Sequence, residues 1–108
     1  MSYTLADRSP QKVTFPAFDH GRKASISTTA LQLTATSTPL YRGLVVKAAA
    51  GNTGKVYVGN SDVTNDTTDG TDGFELSAGE SVSVETDNAN KVYVIGSVAG
   101  QKVFWIGA

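Results

Sequence analysis

The stretch Ser81-Val82-Ser83-Val84-Glu85 alternates strictly between polar and apolar side chains. Successive side chains of a β-strand point to opposite faces of its sheet, so this period of two predicts a strand with one buried and one solvated face. The stretch Ala30-Leu31-Gln32-Leu33-Thr34-Ala35-Thr36 alternates in the same way and places Leu31, Leu33 and Ala35 on a single face. Neither stretch has the 3.6-residue period of a helix, and together they point to an all-β fold.

The rest of the chain repeats this signal in short β-branched and aromatic runs separated by Gly, Asn, Asp and Ser. A helix is disfavoured, because the run Ala48–Ala50 meets Gly51, Asn52 and Gly54 before two helical turns are complete. The strands predicted from the sequence are Lys12–Phe15, Lys23–Thr28, Ala30–Thr36, Gly43–Ala48, Gly54–Gly59, Gly73–Leu76, Glu80–Glu85, Lys91–Ser97 and Lys102–Ile106.

Turn signals separate these strands. Gly51–Gly54 and Ala99–Gln101 have the composition of tight hairpin connections. In the turn Ser77–Glu80, Gly79 stands where a positive φ is expected. The longest connection, 60–72, is rich in Asp and Thr and is predicted to be an exposed, mobile loop. Its residues 65–72 are expected to face outward, because burying their carboxylates would be costly.

A short sequence occurs twice. Lys55-Val56-Tyr57-Val58 returns as Lys91-Val92-Tyr93-Val94, and each copy follows a turn that contains Asn. Two copies are too few for a repeat architecture. The two segments are either strands in similar sheet environments, with Val toward the core and Lys and Tyr outward, or a coincidence of common strand residues.

The sequence predicts a single all-β domain, either an antiparallel β-sandwich of jelly-roll type or a small barrel. A chain of 108 residues has room for one core, and without cysteine that core is held by packing and strand pairing alone. Residues 1–20 differ from the rest, because Pro10 and Pro16 interrupt strand pairing. We expect residues 1–20 to form an extended N-terminal arm and residues 21–108 the sandwich; a terminus folded onto its own domain is the alternative.

Charge and composition exclude several functions. The chain has 9 Lys and Arg against 10 Asp and Glu, and Arg22-Lys23 is the only adjacent basic pair. Direct nucleic-acid binding is therefore not expected, since it needs clustered basic residues. No signal peptide precedes the first strand, and no apolar run is long enough to cross a membrane. The absence of cysteine suits synthesis in a reducing cytosol.

The ionisable residues form no recognisable catalytic or metal-binding set. His20 is the one histidine, and it lies in Asp19-His20-Gly21, which is predicted to be an exposed turn. The Gly-rich stretch 49–55 fails as a phosphate loop, because Val56 follows its Lys and a strand follows in place of a helix. The aspartates of 60–72 lack the spacing of an EF-hand, although another kind of cation site stays open. We predict no enzyme, no cofactor and no metal centre; a pocket lined by Asp19, His20 and a serine would reopen the case for a hydrolase.

The run Phe104-Trp105-Ile106 is apolar on both faces of its predicted strand. Such strands are central and covered, or they lie against a partner. Core packing is the first expectation for Trp105, contact with a neighbouring subunit the second, and a carbohydrate-stacking platform the third.

Four segments resemble small virion proteins of tailed bacteriophages, in particular capsid decoration (cement) proteins. The segments are Leu44-Val45-Val46-Lys47-Ala48, 52–59, 73–82 and Lys91-Val92-Tyr93-Val94. The likeness covers roughly residues 37–107, and its segments are signatures of strands and turns. It implies a β-sandwich used as a building block of the virion.

On this resemblance we expect a structural protein that binds the outer capsid surface and stabilises contacts between capsomers, acting by assembly and not by catalysis. Its expected partners are the major capsid protein and further copies of itself on the shell. A tail or fibre component is the alternative, including a receptor- or carbohydrate-binding sandwich, for which an exposed Trp105 would be the distinguishing observation. The expected contact residues are Tyr3, Leu5, Phe15, Phe18 and Trp105.

Overall fold

The computed structural model of the protein describes residues 18–65 and 73–108, which form two antiparallel four-stranded sheets. The predicted all-β sandwich is confirmed, and the two sheets do not join into a barrel. The predicted strand Lys12–Phe15 and most of the predicted arm lie outside the described residues. The strands are β1 (Asp19–Ile26), β2 (Leu31–Gln32), β3 (Leu44–Ala48), β4 (Val56–Gly59), β5 (Phe74–Leu76), β6 (Ser81–Val84), β7 (Tyr93–Gly96) and β8 (Gln101–Gly107), and a 3-10 turn spans Ala89–Lys91.

The strand order is that of a jelly roll. Sheet I has the order β1-β8-β3-β6, and sheet II has the order β2-β7-β4-β5. The first strand therefore pairs with the last, the second with the seventh, the third with the sixth and the fourth with the fifth. This is the pairing of one long hairpin wrapped into two sheets, which is how jelly rolls are built.

Three of the predicted turns connect strands of different sheets. The hairpin prediction for Gly51–Gly54 is wrong, because β3 lies in sheet I and β4 in sheet II. The prediction for Ala99–Gln101 fails in the same way, since it joins β7 of sheet II to β8 of sheet I. Ser77–Glu80 also crosses between the sheets, and the φ of +85° at Gly79 confirms its predicted conformation. A tight turn reverses the direction of the chain. Such a reversal can connect two strands of different sheets as well as two neighbouring strands of one sheet.

The core lies between the sheets and is built from the apolar positions of the alternating strands. In β3 the burial alternates strictly, with Leu44, Val46 and Ala48 buried. Val82 and Val84 of β6 pack against the same core, as the alternation of the opening stretch predicts. The buried core residues are Ile26, Leu33, Leu40, Leu44, Val46, Ala48, Val56, Val58, Leu76, Ala89, Val92, Val94, Val103 and Trp105.

Two strand boundaries differ from the prediction. β1 begins at Asp19, so the predicted turn Asp19-His20-Gly21 is wrong; these residues pair in register with the last three strand positions of β8. Residues 19 and 20 thus belong to the sandwich and not to the arm. The predicted strand Ala30–Thr36 is only two residues long, because the hydroxyl of Thr34 accepts a bond from the amide of Thr36 and turns the chain away from β7.

The repeated sequence occupies neighbouring strands of sheet II. Val58 of β4 lies opposite Val94 of β7, and both valines point into the core. The prediction that the valines point to the core is confirmed, whereas Tyr57, which was expected to be outward, is buried. The second copy begins later than predicted, because Asn88 caps the 3-10 turn by accepting a bond from the amide of Asn90 and holds Lys91 out of the strand.

Candidate assembly surface

β8 is a central strand of sheet I, with β1 on one side and β3 on the other. Val103 and Trp105 face the core, whereas Phe104 and Ile106 point away from it. Trp105 is only 7% exposed, and its indole lies over Gly21 of β1, where a Cβ atom would come within 2.7 Å of Nε1. The run in β8 therefore has two apolar faces, of which one packs in the core and the other lies at the surface.

Three apolar side chains form a continuous patch on the outer face of sheet I, here called the apolar strip. Val45 of β3 lies opposite Ile106 of β8, and Phe104 is two positions along β8 on the same face. Val45 is 37% exposed, Phe104 43% and Ile106 50%. The strip lines a shallow depression of about 260 Å³ together with Lys47 and Ser81. Apolar side chains in the middle of a sheet and open to solvent are characteristic of a surface that another molecule covers.

Cations flank the apolar strip on both sides. The strand register places Arg22 of β1 opposite Phe104 and Phe104 opposite Lys47 of β3. Both cations are exposed, and neither takes part in an ion pair within the described part of the chain. In β1, β3 and β8 the one acidic residue is Asp19, so the charge of this face is positive although the chain has a formal net charge of −1.

The outer face of sheet II is covered by the chain itself. Tyr57 of β4 and Ile95 of β7 point away from the main core, yet both are buried in a second small cluster with Val63. Val63 belongs to the connection after β4, which is tied down by a 2.9 Å hydrogen bond from Asn65 Nδ2 to the carbonyl oxygen of Gly96. The predicted exposed loop is therefore packed against β4 and β7 at residues 63 and 65, while residues 66–72 lie outside the described part.

Sheet II also carries an open polar depression beside its exposed edge. Lys55 Nζ lies 3.0 Å from Glu75 Oε2, and the same Nζ lies 3.5 Å from the hydroxyl of Ser77. The hydrogen bond and the charge of Glu75 raise the pKa of the Lys55 ammonium above its ordinary value. Unlike Arg22 and Lys47, this cation is neutralised within its own molecule.

The expected contact residues are placed differently from one another. Phe18 is 62% exposed and directly precedes β1, two residues before the outward-facing His20. Trp105 lies in the core, and Tyr3, Leu5 and Phe15 lie outside the described residues. Sequence reasoning missed Val45, Phe104 and Ile106 as surface residues. Phe104 and Ile106 belong to the run Phe104-Trp105-Ile106, which the sequence shows to be apolar on both faces. Sequence reasoning placed this run first in the core and did not assign its second face to the surface.

His20 and Asp19 occupy consecutive positions of β1 and so point to opposite faces of sheet I. Within residues 18–65 and 73–108, no three His, Asp or Glu side chains come together as a metal-binding group. In the same residues there is no helix with the length and apolar character needed to span a membrane.

No protein-family model matches the chain, and no curated protein matches its sequence.

Proposed function

We propose that the chain is a structural protein of a tailed-bacteriophage virion that binds the outer capsid surface and stabilises contacts between capsomers. It acts by assembly and not by catalysis. Its partners are the major capsid protein and further copies of itself on the shell. The proposal rests on the resemblance of its strand and turn segments to virion proteins, and on one structural observation.

The observation that carries the proposal is the uncovered apolar strip of Val45, Phe104 and Ile106. The same sandwich covers the outer face of its other sheet with its own chain, so exposure in sheet I is not imposed by the fold. Leaving apolar area in water costs free energy that association with another protein recovers. A jelly roll with exposed apolar side chains on one sheet is a suitable building block of a shell, and jelly rolls occur widely in viral capsid domains.

Contact with the shell is assigned to the N-terminal residues Tyr3, Leu5, Phe15 and Phe18. Of these four, Phe18 lies within the described residues, and it is 62% exposed. It directly precedes β1. A weak contact through such residues is sufficient on a lattice, because many copies held side by side raise the effective concentration of each.

The alternative, a tail or fibre module that binds carbohydrate, receives less support. The exposed Trp105 that would distinguish such a module is not seen, because its indole lies in the core. The polar depression at Lys55 and Glu75 offers hydrogen-bonding groups, but the ring of Tyr57 beside it is buried.

Co-sedimentation with undecorated capsids tests the proposal. The full chain should bind saturably, and a variant with Tyr3→Ser, Leu5→Ser, Phe15→Ser and Phe18→Ser should bind about tenfold more weakly or worse. Substitution is preferable to removal of residues 1–20, because Asp19 and His20 belong to β1.

Val98→Ser is the matched control. Val98 is 47% exposed and lies in the connection between β7 and β8, away from Phe18 in the chain. Its substitution should leave capsid binding unchanged. If the unaltered chain fails to sediment with capsids, the capsid function is wrong and the tail or fibre alternative takes its place.

A further inference from the structure

The acidic residues of the chain are segregated from the basic ones. Residues 62–87 contain no Lys or Arg, yet they hold Asp62, Asp66, Asp69, Asp72, Glu75, Glu80, Glu85 and Asp87. This stretch includes β5 and β6, which are edge strands on the same side of the sandwich, one in each sheet. The chain therefore has an acidic side at β5 and β6.

The carboxylates of this side differ in whether they are neutralised. Glu75 pairs with Lys55, and Asp87 pairs with Lys91 at 2.8 Å. Glu80 and Glu85 stand at the two ends of β6, are exposed and have no ion pair within the described residues. Only the backbone amide of Ser77 bonds to Glu80, at 2.8 Å. Two carboxylates without an ion pair in the described residues thus stand at the ends of the β6 edge.

The β6 edge also presents unpaired strand groups. The amide of Ala48 donates to the carbonyl oxygen of Glu80, so positions 80, 82 and 84 of this strand face β3 in the ladder. The backbone groups of Ser81 and Ser83 face the opposite way. An edge of this kind, without proline, lysine or a bulge, is open to contact with another molecule.

We propose that the outer face of sheet I binds the β6 edge of a second copy of this chain. Arg22 and Lys47 then meet Glu80 and Glu85 of the second copy. Their side chains can donate to the carbonyl oxygens that Ser81 and Ser83 present at the edge. This inference rests on the proposed assembly function and names the partner of its surface. Because the two contacting surfaces are different, the association is head to tail and generates a closed ring or an open array.

Charge decides against the symmetrical alternative, in which the two sheet I faces meet each other. That contact would bring two copies of Arg22 and two of Lys47 together, because, apart from Asp19, the carboxylates of sheet I are Glu80 and Glu85, which stand at the ends of its edge strand β6 and not between these cations. Like charges at a contact of low dielectric repel strongly. The head-to-tail contact replaces this repulsion with attraction.

Sedimentation velocity and light scattering of the full chain, at low and high salt over a range of concentrations, provide the test. The unaltered chain should self-associate, and salt should weaken the association because ion pairs contribute to it. Phe104→Ser should weaken it about tenfold. Val98→Ser, which removes an equally exposed apolar side chain elsewhere, should leave it unchanged.

A charge exchange distinguishes the two kinds of contact. One variant carries Arg22→Glu and Lys47→Glu, and the other carries Glu80→Lys and Glu85→Lys. Each should be monomeric alone, and an equimolar mixture should associate, because each variant supplies the complement of the other. If the Glu80→Lys, Glu85→Lys variant still associates, the contact is between sheet I faces and the inference is wrong. Melting curves show whether each variant is folded.

Failure of this inference is separable from failure of the capsid function. Self-association is measured without shells. If the chain stays monomeric at every concentration but sediments with capsids, the proposed contact between copies is wrong and the capsid function stands. If the chain self-associates but does not bind capsids, the contact between copies stands and the capsid function is wrong. Binding of added DNA fragments that Arg22→Glu and Lys47→Glu abolish would assign the face to nucleic acid and overturn the inference.

Discussion

The outer faces of the two sheets show how one sequence pattern leads to two kinds of surface. In each sheet a central strand, β4 in sheet II and β8 in sheet I, carries large apolar side chains on the face away from the core. In sheet II the chain returns over that face, so Tyr57 and Ile95 are buried under Val63 and the neighbouring cation is paired. In sheet I no described segment returns, so Phe104 and Ile106 are exposed and the flanking cations have no partner. Among the described residues, the two sheets therefore differ in whether the chain covers the apolar side chains of its outer face.

Adjacent residues of β8 give the sharpest test of this comparison. Trp105→Ala should destabilise the fold by about 3–5 kcal/mol, because the core has no other side chain to fill the space. Phe104→Ala should change the free energy of unfolding by no more than about 0.5 kcal/mol in the monomer, because the ring lies at the surface. Urea unfolding of both variants measures the difference. Equal losses would mean that the outer face of sheet I is covered by the chain.

Removing the cover of sheet II should make the two faces alike. Val63→Ser should cost about 2 kcal/mol, because a buried valine is lost and a hydroxyl enters an apolar cluster. Tyr57 and Ile95 would become accessible, which the binding of a hydrophobic dye reports. Val45→Ser is the matched change on sheet I and should leave stability within about 0.5 kcal/mol and reduce dye binding. Unchanged dye binding by the Val63 variant would contradict a covering role for this residue.

The anchor of the cover should have a smaller effect. Asn65→Ala removes the bond to the carbonyl of Gly96 and should cost about 1 kcal/mol. Amide hydrogen exchange should quicken in residues 60–65 and stay unchanged in β8. A matched substitution, Asn60→Ala, removes only an exposed bond to the amide of Asp62 and should cost less. Equal costs for the two asparagines would argue against the anchor.

The smallest expected effect is the pH response of the paired cation. The pKa of Lys55 is raised from its ordinary value of 10.5 by Glu75, so the pair stabilises the fold fully below that value and loses its effect as pH rises through the folded pKa. Glu75→Gln should return the pKa of Lys55 toward 10.5, as an NMR titration of its side chain would show. The change in stability should be slight, because the pair is exposed. An unaltered titration would remove Glu75 as the cause.

The sequence predicted the strands well where side-chain alternation decides the structure. Ser81–Val84 and Leu44–Ala48 form strands at nearly the predicted positions, because a period of two fits one buried face. It predicted the connections poorly. The signals in Gly51–Gly54 specify a tight reversal, and only the packing of distant strands decides whether that reversal stays in one sheet.

The candidate surface was predictable in part. The run Phe104-Trp105-Ile106 is visibly apolar on both faces, but alternation alone does not say which face is the core. Pairing of Gly21 with Trp105 decides it, since a residue without a side chain leaves room for the indole. The burial of Val63 was not predictable, because its neighbours in sequence are polar and acidic. The separation of acidic from basic residues, by contrast, is visible in the sequence. It indicates an acidic surface only once the structure places β5 and β6 on one side of the sandwich.

The pairing of β1 with β8 also sets when the surface comes into existence. Sheet I needs residues 101–107 between β1 and β3, so β8 is synthesised after both of the strands that it pairs with. Contacts between residues so far apart in sequence form slowly, because a long loop must close before they contribute. A nascent chain can build part of sheet II from residues 56–96 but has no apolar strip. The proposed contact between copies therefore requires that residues 101–107 have been synthesised, so a shorter nascent chain cannot form it.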